Sequence, residues 1–222
     1  VKDDGKPLTI GDVKSLIDLW LAEAGAENPE STIFAIGRDG GLPHSSGTPT
    51  DPIQLGKSIV FDIYPCQQGG GYFYDFTRTW CLGYAPEEIQ QAYDQVKEVY
   101  EKVADELAVG VLASKYQDLT CELFEEMGHE TIRQNQAAEE GYIHSIGHGL
   151  GLNVHEKPWL GRQSDPENIL RVGSVFTIEP GLYYPSKGFG VRLEDTWFVN
   201  EDGHFAKFID YPMELVVPMN GG

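Results

Sequence analysis

The chain has 222 residues, 41% of them hydrophobic and 23% charged, enough apolar matter for one globular core. Asp and Glu number 35 against 16 Lys and Arg, a net charge of −19, and such a surface repels phosphate backbones and sets nucleic-acid binding aside. No apolar run reaches the roughly 18 residues needed to cross a bilayer, so no membrane partner is expected.

Thr9, with Asp12 three residues on, forms a capping box. Ile10, Val13, Ile17, Trp20, Leu21 and Ala24 follow at helical spacing, and Gly25 suits the stop, so a first helix is expected here. Residues 31–37 read as a strand, and 38–57, rich in Gly, Pro, Ser and Thr, as loop. Two β-rich runs, 58–64 and 72–82, flank Gly69-Gly70-Gly71 and suggest a hairpin. Pro86 opens a second helix that runs to about residue 108. Its apolar face is Ile89, Ala92, Tyr93, Val96, Tyr100, Val103, Ala104 and Leu107, and Glu98 and Lys102 are spaced for a pair worth ~0.3 kcal/mol. Residues 115–127 and 129–140 read as two further helices. Short β-runs follow at 175–179, 190–199 and 204–209, with a hairpin turn at Asn200-Glu201-Asp202-Gly203. Strands, then helices, then strands predict an α+β fold with antiparallel sheet.

The cysteines Cys66, Cys81 and Cys121 are far apart and form no C-x-x-C pair, which supports neither a disulfide framework nor a thiolate zinc site. With no glycosylation acceptor either, a cytoplasmic setting is expected. The chain opens at Val1 with a polar stretch and reads as part of a longer protein. Familiar motifs fail. Gly56-Lys57-Ser58 has Asp51 where a phosphate loop needs Gly, and Gly147-His148-Gly149 meets Leu152 where a dinucleotide fingerprint needs Gly. His155-Glu156 meets Trp159 where a zinc helix needs His, and no Gly-x-Ser-x-Gly occurs.

Five residues are odd for their settings. Asp62, Glu179 and Glu194 lie in apolar β-runs, Asp75 lies between Phe73 and Thr77, and His148 sits in a Gly-rich turn. A carboxylate in an apolar strand must be paired, protonated or metal-bound, because burying it alone is costly. The chain is short of cations, and four converging acids repel one another unless something positive joins them. Two divalent cations would balance four carboxylates. Four carboxylates and an imidazole, without thiolate, favour Mn, Fe, Co or Zn in a pair that shares a water. If the five do not converge, each acid is a solvated or salt-bridged residue and the chain is a structural acidic domain. Trp159 and Trp197 are candidates for a substrate pocket or for core.

The segments Phe61-Asp62-Ile63-Tyr64-Pro65, Tyr74-Asp75-Phe76-Thr77-Arg78-Thr79, His144-Ser145-Ile146-Gly147-His148-Gly149, Thr177-Ile178-Glu179-Pro180-Gly181 and Val191-Arg192-Leu193-Glu194-Asp195-Thr196 occur in this order. Together they resemble the pita-bread metallopeptidases, and within them the Xaa-Pro aminopeptidase and prolidase branch. The resemblance implies a curved antiparallel sheet flanked by helices. It implies that residues 1–222 are one catalytic domain, the C-terminal part of a longer protein whose N-terminal domain is not in this chain. It also implies a homodimer in the full-length protein, two divalent ions per chain (manganese first, then Co, Zn or Fe) and a proline-containing peptide as substrate.

Carried over residue by residue, the resemblance makes Asp62 a ligand to one ion, Asp75 and Glu194 bridges, and His148 and Glu179 ligands to the other. Glu179 also shuttles a proton from the bridging water, and His155 and His44 contact substrate. Arg192, by period-two alternation, is expected to share a strand face with Glu194 and orient it, and His144 to support the site from behind. The gap from Asp62 to Asp75 is longer than the family pattern, which leaves the ligand faces intact only if the register is kept. The branch of this fold that works without metal lacks the acidic set. A non-catalytic peptide-binding module is the alternative, and such modules typically lose ligands, whereas this chain has all five types.

Overall fold

The computed structural model describes residues 5–161 and 165–219. Helix α1 (Ile10–Glu23) begins at the capping box. The Asp12 amide donates to Thr9 Oγ1 at 3.3 Å, and the Thr9 amide donates back to Asp12 at 2.9 Å. Gly25 follows it with φ +72°, a conformation that costs Gly little. Trp20, expected on the buried face, is exposed, and Ile10 and Ile17 are the buried anchors. Thr9→Ala is expected to cost about 1 kcal/mol, a fall in Tm of about 2–4 °C for a chain of this size, read by thermal melting.

After the short β1 (Ala26–Glu27), β2 (Ile33–Ile36) pairs antiparallel with β3 (Ser58–Ile63), and α1 packs Ile10 and Ile17 against Phe34, Ile36 and Ile59 from this pair. The strand β4 (Cys66–Gln67) pairs with β1, so the chain after β3 does not run straight back as a simple hairpin. The return strand β5 (Phe76–Leu82) starts four residues later than expected, and ahead of it Phe73 forms an isolated bridge to Cys66. Its register with β3, from Ser58↔Cys81 to Ile63↔Phe76, is regular. Asp62 therefore faces Thr77, and the long connection leaves the acid-bearing face intact.

Helix α2 (Glu87–Asp105) follows Pro86 as expected, burying Ile89, Ala92, Tyr93, Val96, Val99, Tyr100 and Val103. Lys102 meets Glu98 at 2.7 Å on its exposed side. Helix α3 (Ser114–Glu126) comes next. Residues 129–140, expected to be helical, form turns instead. Thr131 is the one fully buried residue of that stretch, and its hydroxyl bonds Glu125, while Asn135 caps the Ala137 amide. Without an apolar face to bury, propensity alone does not hold a helix.

The second half holds β6 (His148–Gly149), β7 (Glu156–Trp159), β8 (Val175–Ile178), β9 (Gly181–Tyr184), β10 (Phe189–Arg192), β11 (Asp195–Val199), β12 (Phe205–Lys207) and β13 (Val216–Val217). The sheet order β12-β11-β8-β6-β7 faces a second sheet, β13-β5-β3-β2, in which only β13 runs parallel to its neighbour. The run 190–199, expected as one strand, breaks at Leu193 and Glu194 into β10 and β11. The backbone of Glu194 pairs with Thr77 across that break, through amide–carbonyl bonds of 3.0 and 3.3 Å, and so joins the two sheets. Helices α2 and α3 cover the strands through one large apolar core that includes Val96, Tyr116, Phe124, Phe176 and Val191.

Candidate metal centre

The five odd residues meet at the seam between the sheets. Asp62 comes from β3, Asp75 from the residue directly before β5, and His148 from β6. Glu179 follows β8, its amide bonded to the Ile146 carbonyl at 2.8 Å, and Glu194 sits in the break between β10 and β11. All five are 2–7% exposed, too dry for an unpartnered charge. One donor atom each from Asp75, His148 and Glu194 lies within 4.8 Å of the others. His148 Nε2 lies 3.4 Å from Glu179 and 3.5 Å from Asp75.

Proton positions follow from the partners. His148 Nδ1 faces the Gly149 carbonyl at 3.1 Å, and a carbonyl only accepts. Nδ1 therefore carries the hydrogen, and Nε2 presents a lone pair to two carboxylates, the tautomer of a metal ligand. The glycines on either side of His148 are required by packing. A Cβ at position 147 would lie 2.1 Å from the Thr177 carbonyl oxygen, and one at 149 would lie 2.3 Å from that of Lys157.

The charges are unbalanced. Burial first, then the charges of Asp62 and Glu179, holds the Asp75 carboxyl well above the usual carboxylate range. Burial and the charges of Asp75, Glu179 and Asp62 do the same to Glu194. Burial pushes Glu179 up to about 8, against the pull of Arg192. Burial drives the His148 imidazole down to about 4. Asp62 Oδ1 and Asp75 Oδ1 are buried and make no hydrogen bond among the described residues. A lone pair aimed at acids, acids aimed at one another, and two orphaned carboxylate oxygens together fit divalent cations.

Arg192 corrects the simple balance of four acids against two ions. Its guanidinium donates to Asp62 at 2.6 Å, to Tyr183 Oη at 2.9 Å, to Thr77 Oγ1 at 3.2 Å and to the Pro43 carbonyl at 3.1 Å. One positive charge thus already stands among the four carboxylates. Arg192 also does not orient Glu194 along a shared strand face, because the chain breaks between β10 and β11. Its hydrogen bonds reach Glu194 through Thr77, whose hydroxyl donates to Glu194 Oε2 at 2.6 Å. Thr77 is signalled by period-two alternation from Asp75, whereas nothing in the sequence pattern points to Tyr183.

Three further histidines lie at the same cavity, of about 400 Å³. The His155 ring stands 4.3 Å from that of His148. His144 Nδ1 faces the Ser145 carbonyl at 3.1 Å and Glu179 at 3.4 Å, so its Nε2 accepts from His44 Nε2 at 3.0 Å. Burial pushes His144 down to about 3, so this contact joins neutral rings. All nine residues singled out from the sequence are thus gathered at one cavity. Trp159 and Trp197 do not line it. Trp197 instead donates to Tyr100 Oη at 3.2 Å.

Comparison with known proteins is consistent with this geometry. The profile of metallopeptidase family M24 matches residues 6–201. The Xaa-Pro dipeptidase of Pyrococcus furiosus is 33% identical over 194 residues, 86% of this chain and 51% of that protein. Among solved structures, the prolidase from Pyrococcus horikoshii OT3 superposes with a TM-score of 0.82 at 30% identity, covering 95% of this chain and 56% of that one. The X-Pro aminopeptidase from Thermotoga maritima MSB8 gives 0.82 at 28% identity, covering 95% and 56%. The chain spans about half the length of the curated relatives it matches.

Proposed function

The chain belongs to metallopeptidase family M24, on its prolidase branch and with its pita-bread fold, and from that premise we propose that it carries the catalytic machinery of an exopeptidase cutting Xaa-Pro bonds. The observation that carries this reading is the convergence of Asp62, Asp75, His148, Glu179 and Glu194 at one cavity, with two buried carboxylate oxygens that make no hydrogen bond among the described residues. These five side chains would hold two divalent ions, of which manganese suits the oxygen-rich set, with Co, Zn or Fe as alternatives. When bound, such a pair lowers the pKa of a water and polarises a carbonyl.

The chain's own residues do the rest. Glu179 accepts the proton of the attacking water and passes it to the leaving proline nitrogen. Its carboxylate accepts from Thr177 Oγ1 at 3.3 Å and faces His144 Nδ1 at 3.4 Å. His155, exposed at the cavity mouth, donates a hydrogen bond to the substrate carbonyl as charge develops on its oxygen, and His44, whose Nε2 hydrogen goes to His144, contacts the substrate beside it. Arg192 and Tyr183 hold Asp62 in place, and the His144–His44 contact steadies the outer histidine.

The test is hydrolysis of Xaa-Pro dipeptides and Xaa-Pro-Xaa tripeptides with Mn, Co, Zn or Fe supplied. Turnover is expected, with preference between the two lengths separating dipeptidase from aminopeptidase. Glu179→Gln is expected to lower kcat by about 10²–10⁴. Absence of turnover with every metal, or full turnover in Glu179→Gln, would contradict the reading.

A further inference from the structure

One wall of the cavity carries none of the five ligands. It is formed by Glu30, Ser31, Ile33 and Tyr64. Ile33 is the direct cross-strand partner of Asp62, so the wall rises from the acid floor itself. Its outer end is pinned. The Tyr64 hydroxyl donates to the Ser31 carbonyl at 2.6 Å, and the Lys14 ammonium donates to Ser31 Oγ at 3.3 Å and to the Ser46 carbonyl at 3.0 Å.

Glu30 stands exposed at this end, and its carboxylate makes no hydrogen bond or ion pair among the described residues. Glu30 precedes Ser31, whose carbonyl holds the Tyr64 hydroxyl, so its charge stands on the same wall. The side chain of Ile33, across from Asp62, and the ring of Tyr64 line the cavity together with Glu30. An apolar strip ending in a lone, solvated carboxylate matches an aliphatic stem that carries a cation at its tip. In an Xaa-Pro dipeptide only the Xaa side chain can supply one.

We propose that Glu30 is a specificity-determining residue that selects substrates whose Xaa residue is lysine or arginine. The stem lies along Ile33 and Tyr64, and the terminal charge meets the Glu30 carboxylate. This rests on the Xaa-Pro reading above.

The experiment compares lysyl-proline with norleucyl-proline, which has a similar stem without the charge. The metal-loaded protein is expected to favour lysyl-proline in kcat/KM by about two- to five-fold at low ionic strength, mainly through KM, the size expected of an exposed ion pair. The preference is expected to fade in high salt. Glu30→Gln is expected to bring the ratio to about one, and Glu30→Lys to turn it toward glutamyl-proline. A ratio near one in the parent protein, or a preference that survives Glu30→Gln, overturns the assignment. If no Xaa-Pro peptide is turned over, the activity proposed above fails, and Glu30 is decided by calorimetric titration of the same two dipeptides. Tighter binding of lysyl-proline that Glu30→Gln removes upholds its role, and equal binding ends it.

Discussion

Replacing Asp75 with Asn or Glu194 with Gln is expected to lower peptide hydrolysis by a factor of about 10²–10³, the size of losing one preorganised electrostatic group, while leaving the metal-free protein at least as stable as its parent. The two effects have opposite signs because the same carboxylates serve two ends. With cations present each acid is a ligand. Without them it is a buried charge beside other buried charges, and burial and those neighbours hold both Asp75 and Glu194 well above the usual carboxylate range. The amide keeps the shape and removes the charge. Thr77 can still donate to a glutamine at 194, and Asp75 Oδ1 has no partner to lose among the described residues. A gain of about 1 kcal/mol would raise Tm by about 2–4 °C in a chain of this length. Melting in chelator and turnover at saturating manganese check both halves. A fall of more than about 2 kcal/mol in the metal-free variants would mean that these acids are stabilising partners in the fold, and the like-charge account would fail.

The second large effect is that of metal on stability, and it depends on pH. In the metal-free fold Glu179 titrates at about 8 instead of 4.5. For an acid raised in this way, folding stability is fully present below the unfolded value and is lost as pH climbs through the folded one. His148 and His144 shift the other way, to about 4 and about 3 from 6.5, so they withdraw stability as pH falls below 6.5. The carboxylates alone act above that point, and the metal-free Tm is expected to fall steadily between pH 6.5 and 8. Metal ions should remove the fall by binding the ionised form. At a free metal concentration of about 100 times Kd the gain is about 2.7 kcal/mol, which is about 5–11 °C in Tm. Melting curves across this pH range, with chelator and with manganese, test it. Curves indifferent to both pH and metal would count against an ionisable, metal-binding centre.

Features with a local signature were legible in the amino-acid order. The Thr9–Asp12 capping box is a contact between residues three apart, and α2 shows its apolar stripe over five turns. The acids were legible because a charge in an apolar β-run has few explanations. What failed was non-local. The break at Glu194 exists because its backbone pairs with Thr77, 117 residues away, and no periodicity in 190–199 encodes that. The same break reassigns Arg192 from Glu194 to Asp62. The pairing of β4 with β1 likewise joins residues about 40 apart along the chain. The stretch 129–140 has helix-compatible residues without an apolar face, so packing overrode propensity. Glu30 carried no signal, since an exposed glutamate in a loop is ordinary until the fold sets it beside a cavity.

The most direct measurement is elemental analysis of the protein after dialysis against manganese, joined to anomalous scattering from a crystal. Two ions per chain are expected, within about 4 Å of each other and enclosed by Asp62, Asp75, His148, Glu179 and Glu194. A crystal grown in the same metal with no ion among these side chains, or with the carboxylates turned apart toward lysine and arginine, would contradict the account.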